Sequence, residues 1–217
     1  MSGLRDMINI LAVEREFGSG AANIAKMLAE RLDWKVWDHE ITDEIARRLN
    51  CKAEMVEQRE ERLDSVFYRL MKAFMRGSFE ARVETDNFEL LDAEHLSVLF
   101  EKVITKIAAE GNCVIIGRGA PWFLRDRKDA FRVFLFAPYE EKLRRTVAQG
   151  KSRREAEHLL ESVDRDRAAF LRKYFDKEWP DRYLYHMMLN TSAGDEAAVD
   201  MILEGMKINA APSGVRG

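Results

Sequence analysis

The sequence predicts an α/β fold built on a parallel sheet with helices on both faces. Three observations carry that reading. Short apolar runs ended by glycine, proline or a charged residue alternate with longer stretches whose apolar residues recur at helical spacing. The first such run leads through a glycine pair straight into a helical pattern. Between Glu40 and Glu110 the chain has no proline and almost no glycine, which suits a block of helices between strands.

Met7–Val13 is a β-branched apolar run, and Gly18 and Gly20 follow it, the pattern of a buried parallel strand. Ile24, Ala25, Leu28, Ala29 and Leu32 then mark a helix over Ala21–Leu32, and Lys35–Trp37 forms a second strand running into Asp38. Ile41, Ile45 and Leu49 mark one helix of the central block, and Val66, Leu70 and Phe74 mark another. A third, longer helix carries Leu96, Leu99, Phe100, Val103, Ile104 and Ile107 and is expected to end at Gly111. Arg76–Asn87 breaks the pattern as a loop, with Phe79 and Phe88 at its edges. Strands are expected at Cys113–Ile116, Arg132–Ala137 and His186–Leu189. Tyr139–Gln149 and Ser152–Asp176 read as charged helices joined at Gly150, and Glu196–Ile208 as a closing helix before a loose tail over 210–217.

Composition bounds the function. The 217 residues are 47% hydrophobic and 34% charged, an ordinary globular balance for one domain over 1–209. A net charge of −3 offers no bulk attraction to nucleic acid or to an anionic membrane, so neither is an expected partner. Cys51 and Cys113 lie far apart, and the four histidines are scattered, without zinc-ligand spacing. The apolar run after Met1–Asp6 is too short for a signal peptide or a membrane span, which makes the cytoplasm the expected address. No Gly-x-Ser-x-Gly elbow or His-Glu-x-x-His motif is present.

In an open parallel sheet ligands bind at the carboxyl ends of the strands, and the chemically interesting residues gather there. The segment Glu14-Arg15-Glu16-Phe17-Gly18-Ser19-Gly20-Ala21-Ala22-Asn23 is a glycine loop opening a helix, able to aim backbone N–H groups at a phosphate. It lacks the lysine of G-x-x-x-x-G-K-[ST]: Ala21 and Ala22 stand at the Lys and Ser/Thr positions. A tight strand-to-helix turn explains the same residues without a ligand. Arg15 either supplies the missing cation or pairs with Glu14 or Glu16.

The loop residues Glu14 to Ala21 resemble the opening signature of the cytidylate kinase-like family of P-loop kinases. Asp38, the run Val114–Ala120, Ala137-Pro138, Asp164-x-x-Arg167, Trp179-x-Asp181, Tyr185 and Asn190-Thr191 follow in the family's order. The resemblance implies a three-layer P-loop kinase fold with a parallel sheet of about five strands. It also implies a helical acceptor-binding insert over 40–110 and a helical lid over 139–177. The implied activity is ATP- and Mg²⁺-dependent phosphoryl transfer to a nucleoside monophosphate, CMP or dCMP first. Phe17, Gly18, Ser19, Gly20, Ala21, Ala22 and Asn23 would hold ATP, with Asn23 also near Mg²⁺. Asp38 would hold Mg²⁺ or orient the acceptor, unless it only caps the next helix. Arg118, between Gly117 and Gly119, would clamp the acceptor phosphate or else bind loop carbonyls. Lys142, Arg145 and Arg167 would neutralise the transferring group, Asp164 orienting Arg167, although most such helix charges are solvated pairs.

Three departures from the family pattern point the other way: Glu14 for Ser, Ala21-Ala22 for a glycine-led pair, and His186 after Tyr185. They support the alternatives of a nucleotide-binding or regulatory protein without catalysis, or a kinase for another small acceptor. Methionine-rich apolar helices leave room for a homodimer.

Overall fold

The computed structural model describes residues 8–38, 41 and 93–210. The expected helices around Ile45, Leu49 and Val66–Phe74, the loop Arg76–Asn87 and the tail beyond Ala210 lie outside them. The described chain forms β1 (Ile10–Arg15), α1 (Ala21–Leu32), β2 (Lys35–Trp37), α2 (Ala93–Glu110), β3 (Cys113–Ile116), α3 (Ala120–Phe123) and β4 (Ala130–Phe136). It continues with α4 (Tyr139–Ala148), α5 (Arg153–Phe175), β5 (Met187–Asn190), a 3₁₀ turn over Thr191–Ala193, and α6 (Asp195–Ala210).

The five strands order as β2-β3-β1-β4-β5, all parallel, with β1 at the centre. Alternation along β1 divides the core as a strand's two-residue period requires. Ile10 and Ala12 face a cluster with Phe100, Val103, Ile104 and Ile107 of α2 and Phe170 and Leu171 of α5. Leu11 and Val13 face the opposite cluster, with Ile24 and Leu28 of α1 and Val199, Ile202 and Met206 of α6. This is the expected α/β sheet covered on both faces.

Several boundaries move for tertiary reasons. β1 runs to Arg15 rather than Val13, because Glu14 and Arg15 continue the ladder opposite Phe134 and Leu135 and satisfy each other's charge. β4 begins at Ala130 rather than Arg132, since Ile10 and Leu11 of the central strand pair with Ala130 and Phe131. β5 begins one residue late: the His186 amide donates to Arg132 O at 2.8 Å as a lead-in. The short α3 and the 3₁₀ turn carry too few residues for a periodic signal.

Helix ends follow local chemistry. α5 opens with a capping box in which the Ser152 hydroxyl accepts from the Glu155 amide and the Glu155 carboxylate accepts from the Ser152 amide. α2 stops before Gly111, whose φ of +66° a side chain would resist.

Candidate active site

Parallel strands bring their carboxyl ends to one edge of the sheet. Residues far apart in sequence therefore meet there: Arg15 at the end of β1, Asp38 after β2, Gly117-Arg118-Gly119 after β3, and Thr191 after β5. Between β1 and α1 the chain turns through Gly18 (φ +77°) and Gly20 (φ +82°). Gly20 is the N-cap of α1, and no side chain caps that helix start. Its first-turn amides are thus the orphan donors of a helix N-terminus, with the positive end of the dipole behind them. The loop lines a cleft of about 410 Å³, open mouth included, from Arg15 to Ala22, with Gln149 and Arg167 on the far wall.

Three buried guanidiniums surround this edge. Arg15 Nη1 donates to Glu14 Oε1 at 3.1 Å, and the Arg15 amide donates to the same oxygen at 3.1 Å. The guanidinium lies against Gly117, where an added Cβ would overlap Nη1 and come within 2.8 Å of Cζ. Arg118 sits at φ +55° between two glycines and is 1% exposed. A bulky residue in left-handed backbone is strained, and such strain persists where the surroundings over-determine it. Arg118 Nη1 donates to Asp38 Oδ1 at 3.0 Å. Burial pulls the Arg118 pKa down to about 10 against the attraction of Asp38, with Arg15 and Arg167 adding repulsion; it stays a cation at neutral pH. Arg167, also buried, donates from Nη1 to Asp164 Oδ1 at 2.7 Å and to the Arg15 carbonyl at 2.9 Å.

The α4–α5 hairpin clasps the loop. The Phe17 amide donates to both Asp164 oxygens, at 2.9 and 3.0 Å. Burial pushes the Asp164 carboxyl above its usual range, opposed by Arg167 and by the Phe17 amide. Phe17 packs on Leu143, Ala156 and Leu160, and Lys142 Nζ donates to Glu16 Oε2 at 2.8 Å. Arg145 braces the loop from the β5 side. Its Nη1 donates to the Ser19 carbonyl and, at 3.1 Å, to Thr191 Oγ1, and its Nη2 donates to the Thr191 carbonyl at 3.0 Å. A Cβ on Gly20 would collide with Arg145 Nη1, so this glycine serves packing as well as φ.

Of the residues singled out from sequence, Arg15, Arg118, Arg167 and Asp38 therefore come together with the loop. Lys142 and Arg145 reach the loop from outside, each already bonded to it. Asn23 Nδ2 donates to Asp195 Oδ2 at 2.7 Å, on the α6 side. Gln149 on the cleft wall carries no signal in the sequence, because only the return of α4 over the loop puts it there.

Among the described residues no three acidic, histidine or cysteine side chains converge on a metal position. Asp38 offers a buried carboxylate beside the guanidinium cluster, and Mg²⁺ commonly takes one or two such groups.

A five-stranded parallel sheet in this order, with a glycine loop after its central strand and arginines at the strand ends, is the P-loop kinase fold. The model of the cytidylate kinase-like family matches residues 10–193, and the chain belongs to that family. Among solved structures, an uncharacterized protein from Eubacterium ventriosum is similar at 21% identity and a TM-score of 0.62, over 91% of this chain and 98% of that one. Shikimate kinase from Acinetobacter baumannii, solved with shikimate, is similar at 18% identity and a TM-score of 0.50, over 93% and 94%. At such identities the likeness concerns the fold. No curated protein sequence matches the chain.

Proposed function

We propose that the protein transfers the terminal phosphoryl group of ATP to a nucleoside monophosphate, with CMP and dCMP the first candidates. The observation that carries this reading is the cleft between the uncapped α1 N-terminus and the buried Arg15 and Arg167, with the buried Arg118 close enough to both to feel their charge. Phosphoryl transfer needs mainly positioning and neutralisation of negative charge, and a helix start facing guanidiniums supplies both. The amides of Gly18 to Asn23 cradle the ATP phosphates, and Arg15 stands in for the absent loop lysine. Arg118 holds the acceptor phosphate, and Arg167 takes charge on the moving group. Asp38 holds Mg²⁺ directly or through water, and the ion supplies further charge neutralisation between the phosphates. Lys142 and Arg145 set the loop, in keeping with their bonds to Glu16 and Ser19.

The test is Mg²⁺-ATP-dependent diphosphate formation by purified protein offered CMP, dCMP, UMP, AMP and GMP in parallel. Turnover is expected, with Arg118→Ala raising the acceptor KM and lowering kcat. Activity retained in Arg118→Ala would remove that residue from the site, and no turnover on any acceptor would sink the nucleotide kinase reading.

One observation favours a second reading, a nucleotide-binding protein without catalysis. The Phe17 amide and Lys142 are both engaged by carboxylates, Asp164 and Glu16, so the loop carries less uncommitted positive charge than its sequence offers. ATP binding by calorimetry without turnover on any acceptor would favour it.

A further inference from the structure

The glycine loop is built into the α4–α5 hairpin. A Cβ on Gly18 would lie 3.1 Å from Lys142 Cβ and Thr146 Oγ1 on α4 and 3.2 Å from Leu160 Cδ2 on α5, so the loop backbone packs directly on both helices. Phe17 closes a small apolar cluster of Leu143, Ala156 and Leu160, separate from the two clusters that flank the sheet. One carboxylate of the hairpin meets the loop backbone. Both Asp164 oxygens accept from the Phe17 amide, and Oδ1 also accepts from Nη1 of Arg167, the guanidinium on the far wall of the phosphate cleft.

Asp164 is thus an anion already in place beside that cleft, with its side chain 17% exposed. The charges facing it are Arg167 from its own helix, Lys142 from α4 and Glu16 from the loop. Lys142 is itself bonded to Glu16 at 2.8 Å, which leaves Arg167 as the main counter-charge. A polyphosphate entering the cleft brings negative charge to the same loop and draws on the same guanidinium. Two like charges sharing a buried site cannot both stay ionised cheaply. The close docking at Phe17 and Gly18 leaves the carboxylate little room to withdraw, so the remaining relief is a proton. Burial already holds the Asp164 carboxyl above its usual range, against Arg167 and the Phe17 amide, which brings that proton nearer to neutral pH.

We propose that Asp164 is a proton-linked gate on the phosphate loop: as a carboxylate it competes with nucleotide phosphate for Arg167, and once protonated it yields the guanidinium to the phosphate. The proton comes from solvent on binding and returns to it on release. Binding therefore raises the proton affinity of Asp164, and by linkage affinity for the nucleotide rises as pH falls. This is the opposite of a purely orienting role, in which the carboxylate would support the bound state. The gate rests on the reading of the cleft as a nucleotide phosphate site, but its test needs no turnover.

Calorimetry of Mg²⁺-ATP binding to the full chain, in two buffers of different ionisation enthalpy, tests it. Wild type is expected to take up a proton and to bind at least about threefold more tightly at about pH 6 than at about pH 8, where one linked proton allows at most about tenfold per pH unit. Cationic arginines favour the ionised phosphate, so the nucleotide's own protons are released on binding rather than taken up. Asp164→Asn keeps the size and one acceptor oxygen but cannot titrate. It is expected to lose the uptake and to bind ATP about threefold or more tightly than wild type at about pH 8. Asp164→Ser, also uncharged, serves if Asp164→Asn does not fold.

ATP binding without proton uptake, or uptake that persists in the uncharged variant, would overturn the gate. Weaker ATP binding by that variant at every pH would do so too, and would assign Asp164 to orienting the loop. Turnover on CMP without proton linkage would remove the gate and leave the kinase. Proton-linked binding that follows Asp164, without turnover on any acceptor, would do the reverse, and no ATP binding at all would remove both.

Discussion

Arg118 and Asp38 are eighty positions apart and meet at 3.0 Å, both almost wholly buried, where the ends of β3 and β2 lie side by side. The pair joins the candidate acceptor clamp to the candidate metal carboxylate. Neither residue can change without consequence for the other, because each offsets the other's charge away from bulk water.

Asp38→Ala leaves the Arg118 cation buried without that carboxylate and is expected to cost about 3–5 kcal/mol of stability. Asp38→Asn keeps an oxygen acceptor and costs less. Urea denaturation of the two variants checks the order; equal loss in both would show that the charge alone carries the interaction, and no loss in Asp38→Asn that the acceptor oxygen does.

Two glycines with similar backbone and opposite surroundings offer a matched comparison. Gly117 (φ +68°) has the Arg15 guanidinium against it, whereas Gly150 (φ +91°) has nothing within 4 Å of a Cβ. Gly150→Ala carries only the left-handed penalty of about 1–2 kcal/mol. Gly117→Ala adds displacement of Arg15, bringing the loss to about 2–5 kcal/mol, and is expected to weaken ATP binding as well. Thermal denaturation with ATP calorimetry on both variants tests the difference, and indistinguishable variants would contradict it.

Arg145 ties α4 to the loop and to the residues after β5. Its fork donates to Ser19 and Thr191 and lies 3.2 Å from Asp195, which also accepts from Asn23. A lysine cannot reproduce those directions. Arg145→Lys is expected to cost about 1.5–3 kcal/mol, with faster amide exchange in the loop and in the start of α1. Exchange unchanged from wild type would mean that the loop holds its shape without the fork.

His186 predicts an acid weakness. Burial and the Arg132 guanidinium, 2.9 Å from Nε2, pull its pKa from the ordinary 6.5 to about 4, and Nδ1 accepts from the Arg132 amide at 3.1 Å. The folded form therefore binds the proton less readily than the unfolded chain. This stabilisation is complete above about pH 6.5 and is lost as pH falls towards 4. The ring is partly exposed, so solvent screening keeps the effect small. The melting temperature is expected to drop over this window, with a shallower drop in His186→Gln. Equal slopes would assign the acid sensitivity to other groups.

Much of this architecture was legible because its causes are local. Apolar runs of strand length, helical spacing over Ala21–Leu32 and the glycines at 18, 20, 111, 117 and 119 act through the backbone preferences of a few neighbours. Strand ends could be misjudged where pairing decides them, as at Glu14 and Arg15, whose charges argue against a strand until Phe134 and Leu135 lie opposite. For the site, the order of motifs named the arginines but not their partners. For Lys142 and Arg145 the sequence offered solvated helix charges or, by resemblance, phosphate ligands, and it did not show that both bond to the glycine loop.

The sequence by itself thus determined which segments become strands and helices, that a glycine loop follows the central strand, and that arginines crowd the strand ends. Only the tertiary structure decided which carboxylate meets which guanidinium, and that Asp164 reaches the Phe17 amide 147 positions away. The physical reason is range. Backbone preferences and periodicity act over a few residues, whereas partnering in a parallel sheet depends on crossovers that set distant chain segments side by side, and on the burial that then obliges each charge to find a counterpart.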